Sequence, residues 1–576
     1  MNKIFRLLKN FLSLKQKKKI FTFFLLNIVN LISEISIVLF IIPLSQILLK
    51  VNPELPLYGD ILFFANYNYE QQAIIAVLIL IILFLFKTIF FTFFIYWQNN
   101  FAAEVEFDFS KRLFSKYLKI DYLYFLTKNT GDLSNKILFE SASFSSLLKN
   151  FLMFVTEVLI FFSITAFIIL YKPIESLGII IFCLVSTISI NFVQKKFSRS
   201  YGKESFIFRG KSTNVLIQTL RNIKDIKLFD KQNYFLEIFK KNFNITLTNR
   251  VKFDSLSETP KQLFELVLIL SFGILIFLLI KNNDSEAIII STSLFLTVFY
   301  RLLPSIVRIT KSIQSINNNK YKFEEIFKDL DLEKNKQLKF DYLENKLNID
   351  KFPNILNISN LSYTYPNKNQ KTLDNLNLII SRGDKVGIMG SSGNGKTTLL
   401  NILTGLIDGY KGKILIDETE LNEINLVKWR ECVGYVSQFP TFINDTIRKN
   451  IALGEDDKSI DDQKINEISK ICNLEEFINK LDDGFETIIN EQGGNFSGGQ
   501  LQRIAIARSL YKDPSFLILD ESTSSMDKTN EQDVLSKIFN HKKIKTILTI
   551  SHKRESFNFC NKKFKIISGS IVDLND

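Results

Sequence analysis

Cysteine is scarce in this chain and never paired. Cys183, Cys432, Cys472 and Cys560 are scattered with no CxxC spacing, which argues against a disulfide framework and reads as reduced, structural thiols. Histidine is scarcer still, with His541 and His552 alone. Long apolar runs are absent after about residue 310, so the second half offers no segment able to cross a bilayer as a helix. The first apolar run, 20–42, has neither the short core nor the small-residue cleavage site of a signal peptide. Lysine and arginine are thin in three short stretches, 50–72, 172–176 and 281–286, although the net charge is +13.

Apolar residues make up 46% of the 576, with 55 Phe, yet mean hydropathy is only +0.11. They are therefore clustered, and the length exceeds what one compact core usually holds. Six runs are long enough to span a bilayer: 20–42, 73–97, 151–171, 177–193, 263–280 and 287–307. The loops poor in Lys and Arg alternate with two long basic segments, 98–150 and 194–261. The positive-inside rule puts the basic segments in the cytoplasm, and every loop agrees with a multi-pass inner-membrane topology with both termini cytoplasmic. The basic net charge then needs no nucleic acid to account for it.

Helical spacing of apolar residues over 215–229 predicts that the membrane helices continue into the cytoplasm. The expected turns at their far ends are 121–130 and 229–234, both aromatic and polar. Glu34, Lys87, Glu157 and Arg301 fall inside spans, with Glu265 near the start of the fifth. Each costs about 2.5–3.5 kcal/mol at mid-membrane unless paired or hydrated. Two readings follow. The charges pair with one another, for instance Lys87 or Arg301 with Glu34 or Glu157. Alternatively, Lys87 and Arg301 line a cavity and meet an anionic group of a substrate. Pro304 is a candidate bend in the last helix. Three regions are expected: 1–315 as a membrane domain, 316–351 as helix end and linker, and 352–576 as a soluble α/β domain.

That last region opens on Tyr363-Thr364-Tyr365-Pro366, where Tyr365 is the aromatic placed to stack on a nucleobase. Gly390, Ser391, Gly393, Gly395, Lys396, Thr397 and Thr398 lie between a strand-like run and a helix-like run. This is a phosphate-binding P-loop: glycines let backbone N–H groups turn inward, Lys396 reaches the β- and γ-phosphates, and the Thr397 hydroxyl ligates Mg²⁺. Gln438 leaves a strand with an amide oxygen able to ligate Mg²⁺ or position water. Ser497, Gly498, Gly499 and Gln500 open a helix and form a second anion-binding end. One P-loop with two phosphate-gripping helix ends suggests that the second serves ATP held by another copy. Phe516–Glu521 is an apolar strand ending in two carboxylates, Asp520 for the Mg²⁺ shell and Glu521 to polarise water. His552 follows the last sheet strand and can bond the γ-phosphate, whereas His541, in a Lys-rich turn, reads as bland.

The ordered set Tyr365, Gly390–Thr398, Gln438, Phe496–Gln500, Phe516–Glu521, Asp527 and His552 resembles the ATPase domain of ABC transporters. With six spans ahead of it, the chain resembles the exporter-type half-transporter. That implies an α-helical transmembrane domain, six spans with long cytoplasmic extensions, fused to an α/β P-loop ATPase domain. The run 220–229 with Tyr234-Phe235 is similar to flippases of lipid-linked oligosaccharides. Gly131-Asp132-Leu133 looks like the first coupling region of exporters. Phe496 and Met526 stand where leucine is usual. The resemblance implies Glu521 as catalytic glutamate, His552 as switch histidine, Gln438 as the Q-loop residue, and 229–234 as a second coupling helix. The expected function is an ATP-driven exporter or flippase for an amphipathic, lipid-linked or lipid-like substrate. It would act by alternating access as a homodimer, since every motif is intact, with a heterodimer as the other arrangement. A multidrug or peptide exporter is the nearest alternative. A soluble ATPase acting on nucleic acid is the alternative that six spans oppose.

Overall fold

The computed structural model describes residues 12–48, 68–171, 173–280, 302–322, 353–366, 368–490 and 493–574, with Glu324 and Leu347 besides. Most of the expected sixth span, with Arg301, lies outside them. So do 50–67, 281–286 and the linker 332–350 apart from Leu347. Contacts divide the chain into two units, residues 1–120 with 127–333, and residues 334–576 with Asp121–Leu126.

The first unit is helical: α1 Leu14–Leu48, α2 Tyr69–Lys119, α4 Thr130–Asn135, α5 Ser141–Tyr171, α6 Pro173–Arg221, α7 Ile223–Leu228, α8 Gln232–Ile280, and α9 over 302–322; the short α3 Tyr122–Thr127 between α2 and α4 falls almost wholly in the second unit. Among the described residues, three helices are long and apolar enough to cross a membrane, over Leu14–Ile37, Glu70–Lys119 and Thr130–Ala166. At 51 residues α2 runs about 75 Å, far beyond a bilayer core of about 30 Å. The helices α6 and α8, each of 49 residues, are also too long to end at the membrane. The expected continuation of the helices beyond the membrane is therefore present.

The burial pattern of α1 is that of a helix in lipid. Asn27, Asn30, Ser33 and Glu34 face inward, while Phe21, Phe24, Leu25, Ile28 and Ile32 face out. In hydrocarbon the polar side chains have no water to turn to, so they seek the bundle interior. Glu34 pairs there with Lys87 of α2 at 3.1 Å. Glu157 of α5 pairs with Arg308 of α9 at 2.6 Å. Arg308 is the partner that sequence reasoning missed, because it lies just past the expected span. Around it Ile160, Phe161, Ile164, Phe264, Leu302 and Ile306 form an apolar cluster. Removing the cation leaves Glu157 buried and uncompensated, so Arg308→Ala is expected to destabilise this unit by about 3–5 kcal/mol. The check is a drop in apparent Tm in detergent, largely recovered when Glu157→Leu is added.

The cytoplasmic turns differ in detail from expectation. The first holds a short helix, α3, and Leu123 packs on the apolar core of the second unit, with which 121–126 groups. Gly131 of α4 lies where a Cβ would meet Asn214 of α6, and the Asn214 amide donates to Asp132 at 2.8 Å. In the second turn the helix is α7, Ile223–Leu228, and 229–231 is the return, not a helix over 229–234. The cause is a closed C-terminus. Asp230 is left-handed at φ 52°, Lys231 N–H bonds Ile226 O, and Asp230 N–H bonds Lys227 O. This pair of bonds satisfies the last carbonyls and stops the helix.

The strands of the second unit are β1 Ile355–Tyr363, β2 Leu373–Ser381, β3 Lys385–Met389, β4 Lys411–Ile416, β5 Thr419–Glu420, β6 Val433–Val436, β7 Asp445–Thr446, β8 Ile488–Ile489, β9 Phe516–Asp520, β10 Thr546–Ile550, β11 Lys562–Ile567 and β12 Ser570–Asp573. They form a six-stranded sheet in the order β12-β11-β3-β10-β9-β6, an antiparallel sheet in the order β2-β1-β4-β5, and the pair β7-β8. In β9 and β10 all five residues are buried, as parallel strands covered on both faces require. Cys432, Cys472 and Cys560 are buried, and burial pushes the thiols of Cys472 and Cys560 up to about 12.

Candidate active site

Strands β3, β10 and β9 are parallel neighbours in register, Ile388 beside Ile550 and Ile550 beside Asp520. Their carboxyl ends therefore open at one edge of the sheet, where ligands bind in such folds. Each strand exits into a predicted residue: β3 into Gly390, β9 into Glu521, and β10 through Ser551 into His552. The P-loop runs from β3 to α10, Lys396–Leu403, with Gly395 as its N-cap. Gly395 has φ 94°, and a Cβ there would lie 2.6 Å from the Thr372 carbonyl, so only glycine fits.

Lys396 is buried where the three strand ends meet. Its ammonium donates to the carbonyls of Gly390 and Ser391, lies 3.2 Å from His552 Nε2 and 3.7 Å from Glu521 Oε1. Glu521 is gripped on both oxygens, by Gln438 Nε2 at 2.6 Å and by His552 Nε2 at 2.9 Å. Its backbone is left-handed at φ 49° and is held by its N–H donating to Ile550 O. A non-glycine residue in that region costs roughly 1–3 kcal/mol and persists only where the surroundings over-determine it. Lys396, Gln438, Glu521 and His552 thus form one cluster from four separate segments. A carboxylate held this way can accept a proton, and a lysine in a glycine nest can hold a phosphate.

Asp520 accepts a hydrogen bond from Tyr435 at 3.3 Å. Burial raises its carboxyl above the usual range. The Tyr435 bond, the charge of Lys396 and the neighbouring Thr397 hydroxyl act against that, while Glu521 adds to it. One carboxylate, a hydroxyl and the nearby Gln438 amide make an all-oxygen donor set with few charges. That suits Mg²⁺, which keeps waters and substrate phosphates as its other ligands. Among the described residues no group of three or more His, Cys, Asp or Glu is gathered for a metal. Tyr365 lies beside the P-loop, its hydroxyl 3.2 Å from Thr398 Oγ1.

Ser497 caps α11, Gly498–Tyr511, and trades bonds with Gln500: its oxygen accepts from Gln500 N–H, and Gln500 Oε1 accepts from Ser497 N–H. A Cβ on Gly498 or Gly499 would press on Ser525, at 3.1 and 3.0 Å. Gln502, which sequence reasoning missed, is buried; its amide donates to Ser524 Oγ and accepts from Ser525 N–H. It ties this helix to the loop after Glu521. The only hint was a polar residue on the apolar side of the helix. Phe496, unusual for its position, stacks edge-on against Phe477 at 5.6 Å. Asp527 caps α12, Lys528–Phe539, and bonds from Thr529 and Asn530 hold its carboxyl well below the usual range. Ser497 and Gly498 are exposed, and among the described residues no hydrogen bond joins 497–500 to the P-loop. Of the two residues expected at a substrate, Lys87 belongs to the first unit and is paired with Glu34, and Arg301 lies outside the described residues.

The chain is similar to known proteins along most of its length. Residues 20–304 match the ABC transporter transmembrane region and residues 373–524 match the ABC transporter family. The ATP-dependent lipid A-core flippase of Salmonella typhimurium is 30% identical over 479 residues, covering 82% of this chain and 80% of that protein. The protein of the same name from Escherichia coli K12 is 29% identical with the same coverage. A solved bacterial Atm1-family ABC exporter with ATP bound has a TM-score of 0.81, covering 97% of this chain and 94% of its own at 18% identity. That likeness is one of fold.

Proposed function

This chain belongs to the ABC transporters, and we propose that it works as an ATP-driven flippase of the inner membrane, a homodimer with both termini cytoplasmic. It is an ATPase coupled to transport. The observation that carries the dimer is the division of the site. Lys396, Gln438, Glu521 and His552 converge, whereas Ser497 and Gly498 stand exposed and, among the described residues, no hydrogen bond joins 497–500 to the P-loop. A helix end that can grip phosphate but lies open is completed by nucleotide on a second copy.

In this reading the glycines of 390–395 and Lys396 bind the phosphates, and Tyr365 stacks on adenine. Mg²⁺, held by Asp520, Thr397 and Gln438, supplies positive charge against the phosphate oxygens when bound. Glu521 takes the proton of the attacking water, and His552 bonds the γ-phosphate and steadies Glu521. Ser497, Gly498, Gly499 and Gln500 close over the ATP of the other subunit. Closure is useful only if ATP favours the closed state differentially. In this reading the membrane domain spans 1–315, helix end and linker 316–351, and the ATPase domain 352–576.

The substrate class is amphipathic and lipid-like. Two relatives named as lipid A-core flippases support it. An anionic group on it would meet Lys87 and Arg301. The test is reconstitution into liposomes with candidate lipids, lipid-linked sugars and drugs. A lipid or lipid-linked sugar is expected to raise ATP turnover and to change leaflet. If drugs or peptides alone stimulate, the flippase reading gives way to a multidrug or peptide exporter.

A further inference from the structure

Strands β6 and β9 pair in parallel, with Tyr435 opposite Ile518. Period two puts Ile518 and Asp520 on one face of β9. In-register pairing puts the Tyr435 side chain on that same face. The apolar clusters agree: Val433 and Tyr435 pack with Ile518 on one side of the sheet, and Val436 packs with Leu519 on the other. From the Ile518 rung, Asp520 lies two residues on, about 6.6 Å, a distance a phenol can bridge. The ring does so, and its hydroxyl donates to Asp520 Oδ2 at 3.3 Å. A one-residue slip in register would turn the ring to the opposite face.

Asp520 is the last residue of its strand, free to rotate about its side-chain bonds unless something holds it. We infer that Tyr435 is a positioning residue for this carboxylate, fixing its rotation so that it is preorganised for Mg²⁺. This rests on the reading of Asp520 as a Mg²⁺ ligand. The bond is between a buried carboxylate and a neutral hydroxyl, the class whose loss is felt most strongly among single hydrogen bonds. Tyr435 touches no phosphate or water in this role; it acts through Asp520.

The experiment measures equilibrium binding of a fluorescent ATP analogue to the full-length protein in detergent, with MgCl₂ and again with EDTA. Wild type is expected to bind more tightly with Mg²⁺, and Asp520→Asn to lose most of that gain. Tyr435→Phe keeps the ring and its packing. It is expected to lose about five- to tenfold of the Mg²⁺-dependent tightening while binding in EDTA stays unchanged. Wild-type Mg²⁺ dependence in Tyr435→Phe, beside its loss in Asp520→Asn, overturns the inference and leaves the site reading intact. Equal weakening with and without Mg²⁺ also overturns it, since the ring would then be packing alone. Full Mg²⁺ dependence in Asp520→Asn removes the carboxylate from the metal, and the inference with it.

Discussion

Replacing Glu521 with glutamine is expected to stop turnover while leaving ATP bound. The carboxylate oxygens are 2.6 Å from Gln438 Nε2 and 2.9 Å from His552 Nε2. An amide can keep one of those bonds as an acceptor, and its size and left-handed backbone position are unchanged. What it loses is the ability to take a proton. General-base assistance is worth about 10²–10⁴-fold, so the steady-state rate should fall by that much. Nucleotide affinity should stay near wild type, because the P-loop and Lys396 are untouched. With hydrolysis blocked and ATP retained, the closed dimer should accumulate. Cross-linking across the interface, or occluded nucleotide after rapid gel filtration, reads this out. Unchanged turnover would take Glu521 out of its role.

Removing the charge of Lys396 has the opposite signature. Its buried ammonium joins the Gly390 and Ser391 carbonyls to the neighbourhood of Glu521 and His552. Lys396→Ala leaves those carbonyls and the Glu521 carboxylate without a cation, and the phosphates without their main positive partner. Charge-assisted hydrogen bonds of this kind contribute about 1.5–3 kcal/mol, so ATP affinity should fall about 10- to 100-fold. Labelling with a photoreactive ATP analogue tests it. Hydrolysis should fail because ATP does not bind, and no closed dimer should be trapped even when Glu521→Gln is added. Wild-type labelling of Lys396→Ala would sink the P-loop assignment.

The two variants separate binding from chemistry because the chain itself separates them. Lys396 sits at the start of a helix after a glycine loop, and Glu521 sits at the end of a buried strand. Such local signals are written in short stretches. Gly395 must be glycine because φ is 94° and the Thr372 carbonyl leaves no room. Four buried apolar residues, Phe516–Leu519, followed by Asp520 and Glu521 must deliver the pair to a sheet edge. The length and apolar character of α2 and its neighbours were equally plain, since a bilayer demands both. The charged residues inside the spans were visible too, and Lys87 with Glu34 is among the pairings the sequence offers, but the partner of Glu157 is not. Glu157 is met by Arg308, 151 positions away, and no spacing rule covers that distance. Gln502 and Tyr435 went unassigned for the same reason: each acts on a loop or strand brought beside it only by folding. The cytoplasmic turn at 223–231 was misplaced by a few residues. Its end is set by the left-handed Asp230 and two cap bonds, which apolar periodicity does not register.

What the sequence by itself determined is therefore the inventory and its local geometry: membrane-spanning runs, a phosphate nest, a carboxylate pair at a strand end, and a second capped helix. Each depends on backbone constraints or solvent within about a dozen residues. What only the tertiary structure decided is who faces whom. Register between parallel strands brings Gln438, Glu521, His552 and Lys396 into one cluster and puts Tyr435 on Asp520. Helix packing chooses Glu34 for Lys87 and Glu157 for Arg308. Those choices rest on contacts between residues far apart in the chain, whose closure entropy is met only by the whole fold.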